Sequence, residues 1–257
     1  MFGILKTLLF LILFFYLLSA IILYIFQRTF IYFPSAFVTH DFKNEVFLNE
    51  GESINVIVLN ENKKKALVYF GGNGEAVVYS ALSLQVLFPD HSVYLVNYRG
   101  YGGSTGKPKE RALFSDALFI YDELIKKHSS ISIMGRSLGS GIATYLASKR
   151  SIDKLILITP YDSIQKLAQN RFPIYPMGLL LKDKFDSVKR INKIKAKVLI
   201  VMAQNDNVIP FKHSQNLIKN FPKEQITVKM ILNKEHNDLS NDKEYDAVIK
   251  AFIQNNK

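Results

Sequence analysis

The chain has 257 residues and no cysteine, with 33 Lys and Arg against 22 Asp and Glu for a formal net charge of +11. Apolar residues make up 48% and charged residues 21%, a balance that excludes disorder and low-complexity architecture. Without cysteine there is no disulfide framework, thiolate zinc site or catalytic thiol, so covalent chemistry must use another nucleophile.

The first element lies between Lys6 and Arg28, where residues 7–27 are twenty-one uncharged side chains, mostly Leu, Ile and Phe. At about 1.5 Å per residue this matches one bilayer core, and it predicts an N-terminal membrane anchor over residues 1–28 ahead of a catalytic domain over 29–257. The run continues past Ser19 and Ala20 through Ile21, Ile22, Leu23, Ile25 and Phe26. That suits a retained anchor better than a cleaved signal, whose apolar region is shorter and ends in small residues. A buried core helix is the other reading of such a run. Tyr24, Tyr32 and Phe33 are expected near the far interface.

The flanking cations nearly balance, with Lys6 on one side and Arg28 and Lys43 on the other, so they set no orientation. Setting aside Lys6 and Arg28 leaves 31 cations and 22 anions, and a domain of charge +9 is drawn to anionic headgroups. The lipid bilayer is therefore an expected partner. Nucleic acid is not, because no zinc-finger, RNP or basic-region pattern accompanies the charge. Lys63, Lys64 and Lys65 read as a solvated turn.

Apolar runs of strand length follow at 54–59, 66–70, 93–97, 131–134, 155–159, 198–202 and 226–231. Helical patterns fall between them at 76–87, 111–127, 138–149, 211–220 and 245–254. Strand and helix alternate, which predicts an α/β fold with a mostly parallel twisted sheet and helices on both faces. Ligands of such sheets bind beyond the carboxyl ends of the strands.

Along the chain, several of those ends carry chemistry. After the strand at 66–70 come Gly71, Gly72, Asn73, Gly74 and Glu75, small residues that leave backbone N–H groups open to an oxyanion. One donor is expected from Asn73 or Gly74 and the other from Leu138. The strand at 131–134 runs into Gly135, Arg136, Ser137, Leu138, Gly139, a G-x-S-x-G between strand and helix. So sharp a turn strains the backbone of Ser137, and glycines on either side let the helix approach the strand. A glycine-rich helix start capped by Ser137 is the plainer reading.

A serine needs a base, and of the five histidines His236, in the loop after 226–231, lies at the right end of the sheet. His40, His91, His128 and His213 read as surface or capping residues. The acid is assigned to Asp206, after 198–202, with Asp162 as second choice, otherwise a helix N-cap. Residues 162–186 hold Phe172, Tyr175 and Met177, too apolar for a solvated loop, and these are expected either to line a substrate pocket under a cap or to complete the core. No cofactor is implied. Both G-x-G-x-x-G candidates fail, with Thr105 and Val77 at the last glycine, and Gly106–Lys107 lacks the rest of a P-loop. No metal constellation appears.

The order Ser137, Asp206, His236 is that of α/β-hydrolases, which the chain resembles over roughly residues 30–255. The anchor, Tyr32 to Ser35, the Gly71 to Glu75 loop, Asn97 to Ser104, Gly135 to Gly141 and His236 to Asp238 are similar to the bud-emergence-related hydrolases, which are akin to protein depalmitoylases. That resemblance implies ester or thioester chemistry near membranes, on a small-molecule or acylated substrate. It departs from many relatives at Gly71, where they carry His.

Overall fold

A computed structural model describes residues 2–255. Its centre is one eight-stranded sheet built from β1 (Lys43–Asn49), β2 (Glu52–Leu59), β3 (Lys65–Phe70), β4 (His91–Val96), β5 (Ser130–Arg136), β6 (Lys154–Ile158), β7 (Lys197–Ala203) and β8 (Ile226–Ile231). Their spatial order is β1-β2-β4-β3-β5-β6-β7-β8. Pairing is antiparallel between β1 and β2 and between β2 and β4, and parallel across the rest.

Seven strands coincide with the expected apolar runs. The eighth, β1, is an edge strand in which Phe47 alone is buried, so it carries almost no apolar period. It joins β2 through Glu50 and Gly51, both at positive φ, which is the geometry of a tight two-residue hairpin. Glutamate in the first of those positions hides the turn from sequence.

Side-chain alternation explains why the central strands are apolar throughout. On β3, Ala66, Val68 and Phe70 pack with α3 (Glu110–Leu124) and α4 (Leu138–Ala147) on one face, while Leu67 and Tyr69 pack with α2 (Ala81–Leu87) and α8 (Lys243–Gln254) on the other. All five are buried, and each large side chain so covered contributes roughly 1.5–3 kcal/mol. Three further helices follow, α5 (Ile164–Arg171) and α6 (Met177–Leu180) after β6 and α7 (Phe211–Ile218) after β7, the last packing Leu217 into the core on the α3–α4 face.

The N-terminal helix α1 (Phe2–Ile31) is, among the described residues, the one helix long and apolar enough to cross a membrane. Most of its large apolar side chains are exposed, which removes the core-helix reading. Its last turn is fastened to the domain. Arg28 Nε donates to Asp183 Oδ2 at 2.9 Å, and the Tyr32 hydroxyl donates to the same oxygen at 3.1 Å. Tyr32 was expected at a bilayer interface; it is instead buried against Phe185, because its hydroxyl finds an acceptor inside the protein.

Candidate active site

Ser137 stands between β5 and α4 with φ 47° and ψ −115°, a combination sparsely populated by non-glycine residues. The flanking glycines are dictated by packing. A Cβ on Gly139 would stand 2.1 Å from the carbonyl oxygen of Phe70, and one on Gly135 would stand 2.4 Å from that of Gly139. Only bare backbone allows α4 so close to β3 and β5. The turn then holds the Ser137 hydroxyl over the carboxyl edge of the sheet.

His236 Nε2 is 2.9 Å from Ser137 Oγ, and His236 Nδ1 is 2.8 Å from Asp206 Oδ2. Since the carboxylate accepts, Nδ1 carries the proton and Nε2 offers its lone pair to the serine O–H. The second carboxylate oxygen, Oδ1, accepts from the N–H groups of Val208 at 2.9 Å and Ile209 at 2.7 Å, which fixes the acid in its loop. Three residues 99 and 30 positions apart along the chain thus form one buried chain of hydrogen bonds. Such an arrangement can draw a proton from a hydroxyl as it attacks a carbonyl.

A cavity of about 700 Å³ opens beside Ser137, and Asn73, Leu138, Phe172 and Met177 are among its lining residues. Of the two alternative donors in the glycine loop, Asn73 faces this cavity, whereas Gly74, at φ +73°, sits against Phe33. The Asn73 backbone N–H has no acceptor among the described residues, while that of Gly72 is donated to Glu75 Oε2 at 2.6 Å. Leu138 opens α4, so its N–H lacks an intrahelical acceptor. Tyr175, expected in the pocket, does not line it. Its ring stacks on Tyr16 of α1 with centroids 5.2 Å apart, and its hydroxyl lies 2.6 Å from Ser19 Oγ.

Other histidines correct the expectation of surface positions. His213 is buried and its Nδ1 lies 2.7 Å from Asp162 Oδ1. Asp162 is thereby engaged elsewhere, and Ser163, not Asp162, caps α5 by accepting from Lys166 N at 3.1 Å. His91 and His128 are buried too, the latter with Nε2 2.8 Å from the Tyr94 hydroxyl.

A polar network behind the serine escaped the sequence. Glu75 Oε1 accepts from the hydroxyls of Tyr69 at 2.8 Å and Ser80 at 2.7 Å, and Oε2 accepts from Arg136 Nη1 at 3.1 Å. Burial pushes the Tyr69 phenol well above its ordinary value and the negative Glu75 adds to this, so it stays a donor. Arg136 reaches on to the carbonyl of His236 at 3.3 Å and Asn237 Oδ1 at 2.9 Å. Arg136 occupies the variable position of G-x-S-x-G, where no rule of sequence assigns a role.

Comparison with known proteins is consistent with this geometry. The model of a family described as serine hydrolase (FSH1) matches residues 80–237. The chain is similar to protein Rv2307c of Mycobacterium tuberculosis, 30% identical over 221 residues that cover 78% of each chain. It is also similar to lysophosphatidylserine lipase ABHD12 of Danio rerio, 31% identical over 172 residues, which are 57% of this chain and 43% of the lipase. Among solved structures, the esterase Pf2001 of Pyrococcus furiosus superposes with a TM-score of 0.67 at 14% identity, covering 86% of this chain and 96% of the esterase. That likeness shows the α/β-hydrolase fold.

Proposed function

Because the chain belongs to the serine hydrolase (FSH1) family, we propose that it is a membrane-anchored enzyme that cleaves carboxylic ester or thioester bonds of hydrophobic acyl substrates. The observation that carries the reading is the run of contacts from Ser137 Oγ to His236 Nε2 at 2.9 Å and from His236 Nδ1 to Asp206 at 2.8 Å, beside an apolar cavity.

In this reading the Ser137 oxygen attacks the acyl carbonyl while His236 Nε2 takes its proton. Negative charge gathers on the carbonyl oxygen, and the N–H groups of Asn73 and Leu138 stabilise it. The tetrahedral adduct collapses, the bond to the leaving alcohol or thiol breaks, and His236 returns the proton to that group. Water, deprotonated by the same imidazole, then attacks the acyl-serine and releases the carboxylic acid. Asp206 holds the ring in the tautomer each step requires. Phe172 and Met177 surround the acyl chain. Helix α1 anchors the protein, and the positive domain is attracted to the headgroups beside it. The esterase and lipase named among the similar proteins support ester chemistry.

A fluorophosphonate probe tests the reading. Labelling at Ser137 that disappears in Ser137→Ala and drops sharply in His236→Ala is expected, together with turnover that rises as the acyl chain of an ester substrate lengthens. An unlabelled wild-type protein would mean a silent fold that binds a lipid or protein, and turnover of amides in place of esters would mean a peptidase.

A further inference from the structure

Helix α1 meets the rest of the protein along one narrow stripe. Tyr16, Ser19 with Ala20, Leu23, Gln27 and Ile31, recurring every three or four residues, are partly or fully buried, while Phe14, Ile22 and Phe26 on the other faces are bare. At the lower end of the stripe Gln27 Nε2 donates to the Leu180 carbonyl at 3.1 Å, and Gln27 Oε1 accepts from Lys182 N at 2.6 Å. Eleven residues earlier, about 16 Å along the axis, the Tyr16 hydroxyl donates to the Ile174 carbonyl at 3.0 Å. The segment between α5 and α6 therefore climbs α1 into the stretch read as lying within the bilayer. Ile174 is 68% exposed there, while the Tyr16 hydroxyl is closed on the Ile174 carbonyl and the hydroxyls of Ser19 and Tyr175 on each other, as hydrocarbon surroundings demand.

The cavity beside Ser137 runs between these two elements, with Leu23, Phe30 and Phe33 on one side and Leu167, Phe172 and Met177 on the other. Its two ends differ in depth. Asn73, in the loop over Ser137, donates from Nδ2 to the carbonyl of Ile31 at 2.7 Å and accepts at Oδ1 from Phe33 N at 3.0 Å, so the serine sits level with the end of α1. Leu23 lies eight residues back, about 12 Å further into the bilayer.

We propose that this cavity is an acyl channel whose outer wall is the membrane helix itself, that the chain of a bilayer lipid reaches Ser137 sideways between α1 and the α5–α6 segment, and that Leu23 sets the chain length accepted. The proposal rests on the membrane-bound acyl-hydrolase reading above and names the source and the length gauge of its substrate. The ester carbonyl stays at the depth of the headgroups while the tail follows α1 inward, so the substrate keeps its apolar part out of water throughout.

The experiment uses the full chain in phosphatidylcholine vesicles with fluorogenic esters from acetyl to palmitoyl, and reads kcat/KM for decanoyl relative to acetyl. Leu23→Trp is expected to lower that ratio by about ten-fold, the scale on which a hydrophobic pocket discriminates by size. Leu23→Ala is expected to move the preferred length upward, which keeps the test open if the tryptophan variant fails to fold. Ile22→Trp, one residue away on a bare face, should leave the ratio within about two-fold. A profile indifferent to both Leu23 variants, or equally altered by Ile22→Trp, overturns the channel.

Sideways access has its own arm. Ile174→Asp should slow hydrolysis of a palmitoyl ester held in vesicles far more than that of the same ester in detergent micelles, and equal slowing in both overturns it. Ser137 labelling of the wild type by a fluorophosphonate is read first. Its absence removes the hydrolase reading, whereas labelling with an indifferent length profile removes the channel alone.

Discussion

Arg136 Nη1, at the end of β5, and Glu75 Oε2, in the loop after β3, meet at 3.1 Å beside Ser137, and neither side chain is more than 22% exposed. Through Arg136 this pair is tied to the backbone of His236, and through Glu75 to the backbone of Gly72. It therefore braces both His236 and the Gly71–Glu75 loop without touching the serine hydroxyl. Arg136→Met is expected to lower kcat for a short soluble ester about ten-fold or more, with a smaller change in KM. Glu75→Gln should act through the same brace, so the double variant is expected to lose less than the product of the single losses, as a double-mutant cycle of kcat would show.

Asp206 and Asp162 each hold a histidine by Nδ1 at 2.8 Å and 2.7 Å, but the histidine of Asp206 alone reaches a serine. Asp206→Asn places an amide donor against the Nδ1–H, favours the wrong tautomer, and is expected to reduce kcat about 10³- to 10⁴-fold with the fold intact. Asp162→Asn should cost stability, measured by thermal unfolding, while kcat changes little. The reverse pattern would move the acid to Asp162.

The backbone of Ser137 stores strain that a glycine releases. Non-glycine residues in such conformations cost about 1–3 kcal/mol, and the extra freedom of glycine in the unfolded chain returns about 0.5–1 kcal/mol of that. Ser137→Gly is therefore expected to unfold about 2–4 °C above Ser137→Ala, both being inactive. Equal melting temperatures would show that the turn holds no strain.

Burial lowers the His91 imidazole below its ordinary value of 6.5, and Lys65 and Lys154 add to this against the opposing Asp153 and Asp90. Between the lowered value and 6.5 the unfolded chain binds more protons than the folded one, so stability rises with pH across that window and is lost as pH falls through it. The melting temperature should decline from about pH 7 to about pH 5, and less steeply in His91→Gln. Parallel declines in the two proteins would clear His91 of the effect.

Much of this was legible in the sequence because it rests on local chemistry. Strands covered on both faces read as apolar runs, as in β3 and β6, and the glycines around Ser137 are legible from the spacing of a strand-to-helix turn, although the backbone that bars a side chain at Gly139 is that of Phe70. What was hidden depends on distant partners. Nothing near Tyr175 or Tyr32 says that the first stacks on Tyr16 and the second bonds Asp183, so their phenols were placed by composition alone. Arg136 and Glu75 are 61 positions apart, and charged residues beside glycines ordinarily read as solvated. Buried His213 was missed for the same reason, since its partner Asp162 lies 51 positions away.

Asp183, 4% exposed, has its charge answered by the guanidinium of Arg28 and the hydroxyl of Tyr32, both supplied by the end of α1 and the residue after it. Cutting the chain after residue 28 to obtain a water-soluble protein would remove the guanidinium and leave the buried carboxylate to the Tyr32 hydroxyl alone, a destabilising loss that solvent around the 38% exposed Arg28 side chain partly screens. A soluble version is better made by repainting the bare flank of the helix, at positions such as Phe14, Ile22 and Phe26, with polar side chains, and leaving its inner seam whole.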